Sequence, residues 1–127
     1  MFKKEIKHPT KMADTGAYSA GVLAGGFLFV SGQAALDMIT GDVVHGTIEE
    51  ETLLTLSHIQ KIVEAAGGTK DNIVRCTVHL ADINEFDHFN TAYASFFSGV
   101  LPARTTIQSV LGDGIKIEID AIAIIEK

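Results

Sequence analysis

An arginine and a glutamate near the end of the chain are the side chains best suited to chemistry. Arg104 follows Pro102 and Ala103, and Glu118 lies in the later run from Lys116 to Asp120. Arginine presents a planar fork of donors that keeps its charge, so it suits bidentate capture of a substrate carboxylate. A nearby carboxylate can accept a proton or orient water. The two residues therefore indicate a site for a small carboxylate-bearing molecule.

A structural interpretation of the same two residues competes with the chemical one. Arg104 and Glu118 lie on successive strand-like runs, where opposite charges can face each other across neighbouring strands. Such a cross-strand pair stabilises a sheet by about 0.2 to 1 kcal/mol. The spacing alone favours this ion pair over a substrate site.

Size and composition limit the class of protein. The 127 residues fit a single domain spanning residues 1–127. Hydrophobic residues make up 46% of the chain and charged residues 20%, which predicts that some apolar surface contacts another subunit. The net charge of -6, with no cluster of lysine and arginine, disfavours nucleic acid as a partner. A small metabolite is the expected partner.

The location of the protein follows from what the sequence lacks. No apolar run approaches the roughly 20 residues that a membrane-spanning helix needs, so no membrane partner is expected. The first residues, Met1 to Ile6, have no apolar stretch typical of a signal peptide. We therefore expect a cytoplasmic protein.

The cysteine and the histidines show no pattern typical of a catalytic or metal site. The only cysteine, Cys76, cannot form an internal disulfide, and it shares the apolar side of a predicted strand with Val74 and Val78. A buried, unreactive thiol is therefore expected. The five histidines show no ligand spacing such as His-x3-His, so no metal site is predicted.

Two helices are predicted to support the site. Thr47 to Glu50 matches a capping box, and Gly67-Gly68 supplies a stop for the helix that follows. A second helix begins near Asn84 and ends before Gly99. The apolar residues at helical spacing are Leu53, Leu56, Ile59, Ile62, Val63 and Ala66 in the first helix, and Phe86, Phe89, Tyr93, Phe96 and Phe97 in the second.

Strand-like runs surround these helices. The predicted strands cover residues 2–7, 17–23, 27–31, 73–80, 104–111 and 115–126. Gly25-Gly26 predicts a hairpin over residues 17–33, and Gly112-Asp113-Gly114 predicts a second hairpin that joins the last two strands. The order of elements predicts an α+β fold, with a single mixed β-sheet and two helices packed on one face.

The last strand predicts how the sheet is covered. One face carries Ile115, Ile117, Ile119, Ala121, Ala123 and Ile125, and the other carries Glu118 and Asp120 together with Ile122 and Ile124. Both faces are partly apolar, and the helices can cover only one of them. We therefore expect an oligomer whose interface is the sheet face away from the helices.

Several segments, taken together and in order, resemble the Rid family of YjgF-like reactive intermediate deaminases. The resemblance covers nearly the whole chain, and its most specific parts are the Ser-Gly-Gln end of the first hairpin and the Pro-Ala-Arg and Ile-Glu-Ile segments. The matching segments are Gly16 to Ser19, Phe29 to Gln33, Thr40-Gly41, Glu64 to Gly68, Phe89 to Tyr93, Pro102 to Arg104 and Ile117 to Ile119.

The resemblance implies a fold, an assembly and an activity. The implied fold is chorismate-mutase-like, and the implied assembly is a homotrimer whose sheets form a central barrel, with active sites between subunits. The implied activity is hydrolysis of 2-imino and enamine acids of the 2-aminoacrylate and 2-iminopropanoate type, giving a 2-oxo acid and ammonia. Neither a metal nor an organic cofactor is implied.

Residue roles follow from the same resemblance. Arg104 matches the arginine that holds the substrate carboxylate, and Glu118 matches the glutamate that orients or activates water. Thr106 stands where many relatives have cysteine, and its hydroxyl can still hydrogen-bond a substrate. Ala17 and Ala20 replace residues that are often Pro and Gln in the family. The other positions expected to line the substrate pocket are Tyr18, Ser31 and Asn90.

Two further functions compete with imine hydrolysis. A non-catalytic protein of the same fold would bind or sense a 2-oxo acid, and it would need Arg104 but not Glu118. RNA cleavage is ascribed to some members of the family, but the acidic balance of this chain argues against it.

Overall fold

Six strands form one sheet in the computed structural model, which describes residues 2–126. Their order across the sheet is β1-β2-β3-β6-β4-β5. Every neighbouring pair is antiparallel except β4 and β5, which are parallel. The sheet is therefore mixed, as predicted. The strands are β1 (Lys4–Ile6), β2 (Gly21–Ala24), β3 (Phe27–Gln33), β4 (Ile73–Leu80), β5 (Ala103–Gln108) and β6 (Ile117–Ile124).

Two helices, α1 (Ile48–Ala65) and α2 (Phe86–Phe96), pack on one face of this sheet. The predicted capping box is present, because the Glu50 amide donates to the Thr47 hydroxyl (3.1 Å) and the Thr47 amide donates to the Glu50 carboxylate (2.9 Å). Gly67 adopts a φ of 94° after the helix, which favours glycine. Both ends of the first predicted helix are thus confirmed within a residue or two.

The buried side of α1 differs from the predicted one at a single leucine. Leu53 is 42% exposed, whereas Thr52 is fully buried and donates its hydroxyl to the Ile48 carbonyl at 2.7 Å. Because Thr52 satisfies its own hydroxyl within the helix, it can face the core without an unpaired polar group. The prediction that Leu53 belongs to the apolar stripe is therefore wrong. Leu56, Ile59, Ile62 and Val63 are fully buried, as expected.

The first hairpin is confirmed, and several strand boundaries change. β2 and β3 pair antiparallel around Gly25 and Gly26, whose φ angles are 58° and 81°. The first strand covers only Lys4–Ile6, and residues 17–20 precede β2 without forming a strand. Val74 is 42% exposed because β4 shifts register between Ile73 and Arg75, so its predicted place on the apolar side is wrong.

The predicted hairpin between the last two strands is wrong. β4 lies between β5 and β6 and pairs with both of them, parallel to β5 and antiparallel to β6. The chain crosses the end of β4 between them, where the Ser109 amide donates to the Leu80 carbonyl and the Ala81 amide donates to the Lys116 carbonyl. The Gly-Asp-Gly turn signal is local, but the choice of strand partner is not.

The two faces of the sheet differ as the last strand predicted. Ile117, Ile119, Ala121 and Ala123 are buried beneath the helices. On the opposite face Phe27 and Phe29 are each 47% exposed, and Ile107 and Ile124 are also exposed. An interface on this apolar face stays a prediction.

Within residues 2–126, no helix combines the length and the apolar character needed to cross a bilayer.

Candidate functional site

Arg104 lies at the edge of the sheet, on the side covered by α2. Its Nη1 donates to the Asn90 side-chain oxygen at 2.8 Å. The guanidinium carbon lies 4.8 Å from the ring centre of Tyr93, 5.2 Å from that of Phe89 and 5.6 Å from that of Phe86. Aromatic faces attract a guanidinium, and the amide fixes one of its edges. The fork is thus held in place by neutral groups.

The surroundings of Arg104 leave its positive charge unneutralised. Among the described residues no carboxylate lies within 4.0 Å of the guanidinium. Burial raises the pKa of both Tyr93 and the Cys76 thiol, so these two buried groups stay uncharged. An open cavity of about 280 Å³ lies beside Arg104 and is also lined by Asn90, Tyr93, Ala94, Leu101 and Pro102. This surface suits a small anion.

Thr106 is two residues beyond Arg104 on the same strand, β5. Its hydroxyl oxygen is buried and has no hydrogen-bond partner among the described residues. An unpaired buried hydroxyl costs stability, about 1 to 3 kcal/mol. Thr106 does not line the cavity beside Arg104, so a hydrogen bond between its hydroxyl and a substrate stays a prediction.

Glu118 lies on the opposite face of the sheet. Its neighbours Ile117 and Ile119 point into the core, so its own side chain points away from the helices. The carboxylate packs against Gly32: a Cβ at that glycine would lie only 2.6 Å from Glu118 Oε2. A side chain at position 32 would therefore displace the carboxylate.

Tyr18 and Glu118 line the same cavity, which measures about 350 Å³. Tyr18 is anchored from one side, because its hydroxyl hydrogen-bonds the Thr15 hydroxyl at 2.5 Å. Lys11 donates to the same Thr15 oxygen at 2.6 Å, and its ammonium lies 4.8 Å from the centre of the Tyr18 ring. Loop residues thus hold Tyr18 at the cavity that contains Glu118.

Ser31 hydrogen-bonds the backbone of the segment that follows Tyr18. Its hydroxyl donates to the Ser19 carbonyl at 2.6 Å, and its amide donates to the Ala20 carbonyl at 2.9 Å. These bonds fix the segment that follows Tyr18. The Ser31 side chain lines neither of the two cavities described above. A direct contact between Ser31 and a substrate stays a prediction.

A buried histidine pair anchors the loop that carries Lys11 and Tyr18. The Leu36 carbonyl can only accept, so His58 Nε2 donates to it (2.8 Å) and the neutral ring accepts from His8 Nε2 at Nδ1 (3.0 Å). His8 Nδ1 then accepts the Thr10 amide at 3.2 Å. Burial lowers the pKa of both rings, and repulsion between the two rings when both are protonated further lowers that of His8, to about 4.

Arg104 and Glu118 do not form the cross-strand ion pair that spacing favoured. Their strands pair with opposite edges of β4, where Arg104 is in register with Cys76 and Glu118 with His79. Cys76 and His79 are three residues apart on one strand, so their side chains point to opposite faces. Within one chain the predicted residues therefore form two groups. One contains Arg104, Asn90 and Thr106, and the other contains Glu118 and Tyr18.

The structure adds residues that sequence reasoning did not assign to the site. Gly32 lies inside β3, one residue beyond the predicted strand 27–31, and a glycine within a strand is typical of a close approach by another group. Lys11 and Thr15 lie in a loop without a recognisable motif, and only the fold brings them to Tyr18. Within residues 2–126, no three His, Cys, Asp or Glu side chains converge as metal ligands would.

Known proteins are similar to this chain over almost its entire length. The family model described as Endoribonuclease L-PSP matches residues 9–125. The chain is 41% identical over 125 residues to 2-iminobutanoate/2-iminopropanoate deaminase of Rattus norvegicus, covering 98% of this chain and 91% of the rat protein. Among solved structures, the Rid-family protein YyfA of Yersinia pestis has a TM-score of 0.90 at 35% identity, covering 98% and 100% of the two chains. E. coli TdcF with bound serine has a TM-score of 0.88 at 31% identity, covering 97% and 99%.

Proposed function

This chain belongs to the Rid family of YjgF-like proteins, and we propose that it hydrolyses 2-imino and enamine acids of the 2-iminopropanoate and 2-aminoacrylate type to 2-oxo acids and ammonia. Its single mixed sheet with two helices on one face is the fold of that family. The observation that carries the proposal is the Arg104 guanidinium, which is held by Asn90 and aromatic rings and pairs with no carboxylate of residues 2–126.

Arg104 binds the substrate carboxylate in this proposal. One edge of its fork is committed to Asn90, which leaves N–H groups for two parallel bonds to a carboxylate. The surrounding rings exclude water on one side and so strengthen these bonds. Thr106 follows Arg104 on the same face of β5, and its hydroxyl, which has no partner among the described residues, supports the proposal that it adds a further bond.

Glu118 handles water and protons in this proposal. A protonated imine carbon is already electrophilic, so the site has to position one water molecule and accept its proton. The water oxygen bonds to the carbon, and the electron pair of the C=N bond moves to nitrogen. A proton transfer then makes that nitrogen a leaving group. Ammonia departs with the C–N electron pair as the carbonyl forms, so imine and water give 2-oxo acid and ammonia. Water is the only co-reactant, and the proposal includes no cofactor.

The site needs two copies of the chain. Because Arg104 and Glu118 lie on opposite faces of one sheet, a single chain does not bring them together. We propose a homotrimer in which the Arg104 group of one subunit meets the Glu118 group of its neighbour. The exposed apolar face around Phe27 and Phe29 supports burial of this side of the sheet.

A coupled assay tests the activity. A serine dehydratase generates 2-aminoacrylate, and the release of pyruvate is followed with and without this protein. We expect faster release with the wild-type chain. If the protein binds pyruvate yet accelerates nothing, the alternative holds, and this fold acts as a non-catalytic 2-oxo acid binder.

A mixing experiment tests the shared site. Arg104→Met and Glu118→Gln chains, each inactive alone, are unfolded together and refolded as mixed trimers. Random assembly should restore about one quarter of wild-type activity, since half of the chains supply an intact arginine and half of their neighbours supply an intact glutamate. No recovery, with trimers present, would show that each site belongs to one chain.

A further inference from the structure

Lys11 is a charged residue at the Glu118 cavity that the proposed reaction does not use. It lines this cavity together with Tyr18 and Glu118. The partners of its ammonium are neutral hydroxyls, Thr15 at 2.6 Å and, more weakly, Tyr18 at 3.5 Å. Among the described residues no carboxylate lies within 4.0 Å of Nζ. An ammonium has three donors, so Lys11 keeps donor capacity for a ligand.

The charges around the cavity are separated rather than paired. Two carboxylates, Glu118 and Asp113, also line it. Asp113 belongs to the exposed loop before β6 and adopts a φ of 58°. Neither carboxylate reaches Lys11, so the cation stands apart from both. A ligand with a single carboxylate, bound at Arg104, leaves the Lys11 ammonium without a counter-ion from residues 2–126.

Lys11 is also pre-positioned. A free lysine side chain loses up to about 2 kcal/mol of conformational entropy when a ligand fixes it. Here the Thr15 hydroxyl and the Tyr18 ring already hold the ammonium in place. Much of that loss has therefore occurred before binding, which favours a specific contact over a loose surface attraction.

We propose that the site takes 2-imino dicarboxylates with four or five carbons, with the carboxylate next to the imine carbon at Arg104 and the distal carboxylate at Lys11. This proposal rests on the proposed function and on the site shared between subunits. The cavity of about 350 Å³ on the Glu118 side has room for the longer side chain. The reaction is the same hydrolysis, and the products are a 2-oxo dicarboxylate and ammonia.

Turnover by a lysine variant tests the inference. Flavin-dependent oxidases generate 2-iminosuccinate from aspartate and 2-iminopropanoate from alanine, and the imine that semicarbazide can trap is followed over time. Lys11→Met should lower kcat/KM for 2-iminosuccinate roughly fivefold to twentyfold, as expected for a hydrogen-bonded ion pair that is partly exposed to solvent. The value for 2-iminopropanoate should fall clearly less than that for 2-iminosuccinate, because that substrate has no second carboxylate for Lys11 and loses only the support that Lys11 gives to Tyr18.

Matched variants separate a local contact from general charge effects. Lys4→Met removes one exposed cation from β1, outside the cavity, and should leave both substrates unchanged. Lys11→Arg should retain most of the preference for the dicarboxylate. Asp113→Asn should leave that preference intact or increase it. Equal losses on both substrates in Lys11→Met, or an equal loss in Lys4→Met, would overturn the inference.

A binding measurement keeps this inference distinct from the proposed function. Calorimetry compares 2-oxoglutarate with 2-oxobutanoate on wild type and on Lys11→Met, without any turnover. Wild type should bind the dicarboxylate more tightly, and Lys11→Met should abolish that preference. If this pattern appears but no imine is hydrolysed, the ligand class is right and the enzymatic proposal fails. If wild type shows no preference for the dicarboxylate, the inference fails even if imines are hydrolysed.

Discussion

The two halves of the candidate site are built in different ways. The Arg104 half rests on regular structure, where a strand residue is fixed by an asparagine and three aromatic rings of one helix. The Glu118 half joins a strand carboxylate to a loop held by hydroxyl and lysine contacts around Tyr18. Loops tolerate more sequence change than packed elements do. We therefore infer that carboxylate capture is the fixed part of the site and that substrate preference varies through the loop.

The difference also separates binding from chemistry. Around Arg104 the hydrogen-bond and ring partners are neutral, and no carboxylate in the described part of the chain pairs with the guanidinium, which suits tight binding of an anion. Around Glu118 the carboxylate and the Tyr18 phenol line one open cavity, which suits proton transfer and water. Substitutions in the two halves should therefore change different kinetic constants.

The largest effect should come from Glu118→Gln. The amide has the same shape but cannot accept a proton from water, so kcat should fall by about 10² to 10⁴. The affinity for pyruvate, measured by calorimetry, should stay within about twofold because Arg104 is untouched. If Glu118→Gln retains full kcat, Glu118 does not handle the proton of the attacking water.

Arg104→Lys should change the affinity for the substrate carboxylate rather than kcat. Lysine keeps the charge but loses the planar fork, so the Kd for pyruvate should rise by about 10-fold to 100-fold. Arg75→Lys is the matched control, since Arg75 donates to Thr105 on the opposite face of the sheet, outside both cavities. An equal loss of affinity in both variants would point to general charge rather than to the fork.

Gly32→Ala should disturb Glu118 without touching Arg104. The added methyl group would lie 2.6 Å from Glu118 Oε2, so the carboxylate must move. We expect kcat to fall about tenfold, because a displacement of about 1 Å is enough to misplace a reacting group. Gly112→Ala is the control, since a methyl group there meets no atom within 4 Å. Unchanged kcat in Gly32→Ala would mean that Glu118 works from another position.

The smallest expected effect is a pH dependence of stability from the histidine pair behind the loop. In the unfolded chain His8 has the ordinary histidine pKa of 6.5, whereas in the folded protein its pKa is about 4. The unfolded state therefore holds more protons between these values, and the free energy of unfolding should fall by about 1 to 2 kcal/mol as pH drops through that window.

Urea unfolding between pH 4 and pH 7 measures this dependence. His8→Gln should flatten it, whereas His88→Gln should not, since His88 is exposed on α2 beside Glu49. A slope that survives in His8→Gln would assign the effect to other groups.

Local patterns predicted the helices well and the strand partners poorly. The capping box at Thr47 and the glycine stop at Gly67 act within one turn, so the local sequence fixes both ends of α1. The partner of β5 depends on β4, which precedes it by a whole helix, and no turn motif reports such an insertion. The Gly-Asp-Gly signal therefore indicated a hairpin that the sheet does not contain.

For the candidate site, too, the sequence predicted residue types but not their positions in space. The residue types of Arg104 and Glu118 indicated carboxylate binding and proton transfer, and the family resemblance added Tyr18 and Asn90. The placement of the two charged residues on opposite faces depends on the register of both strands against β4. The contact between Lys11 and Thr15 depends on the path of a loop, for which the sequence offers no periodic pattern.

The placement of Arg104 and Glu118 on opposite faces has a consequence for how activity depends on concentration. In the proposed trimer each subunit has its own core, both helices and the whole sheet, yet alone it would hold only one half of each of two sites. Specific activity should therefore fall on dilution while the circular dichroism of the folded chain stays constant. In a cell, the level of expression would then set the activity of each molecule as well as the number of molecules.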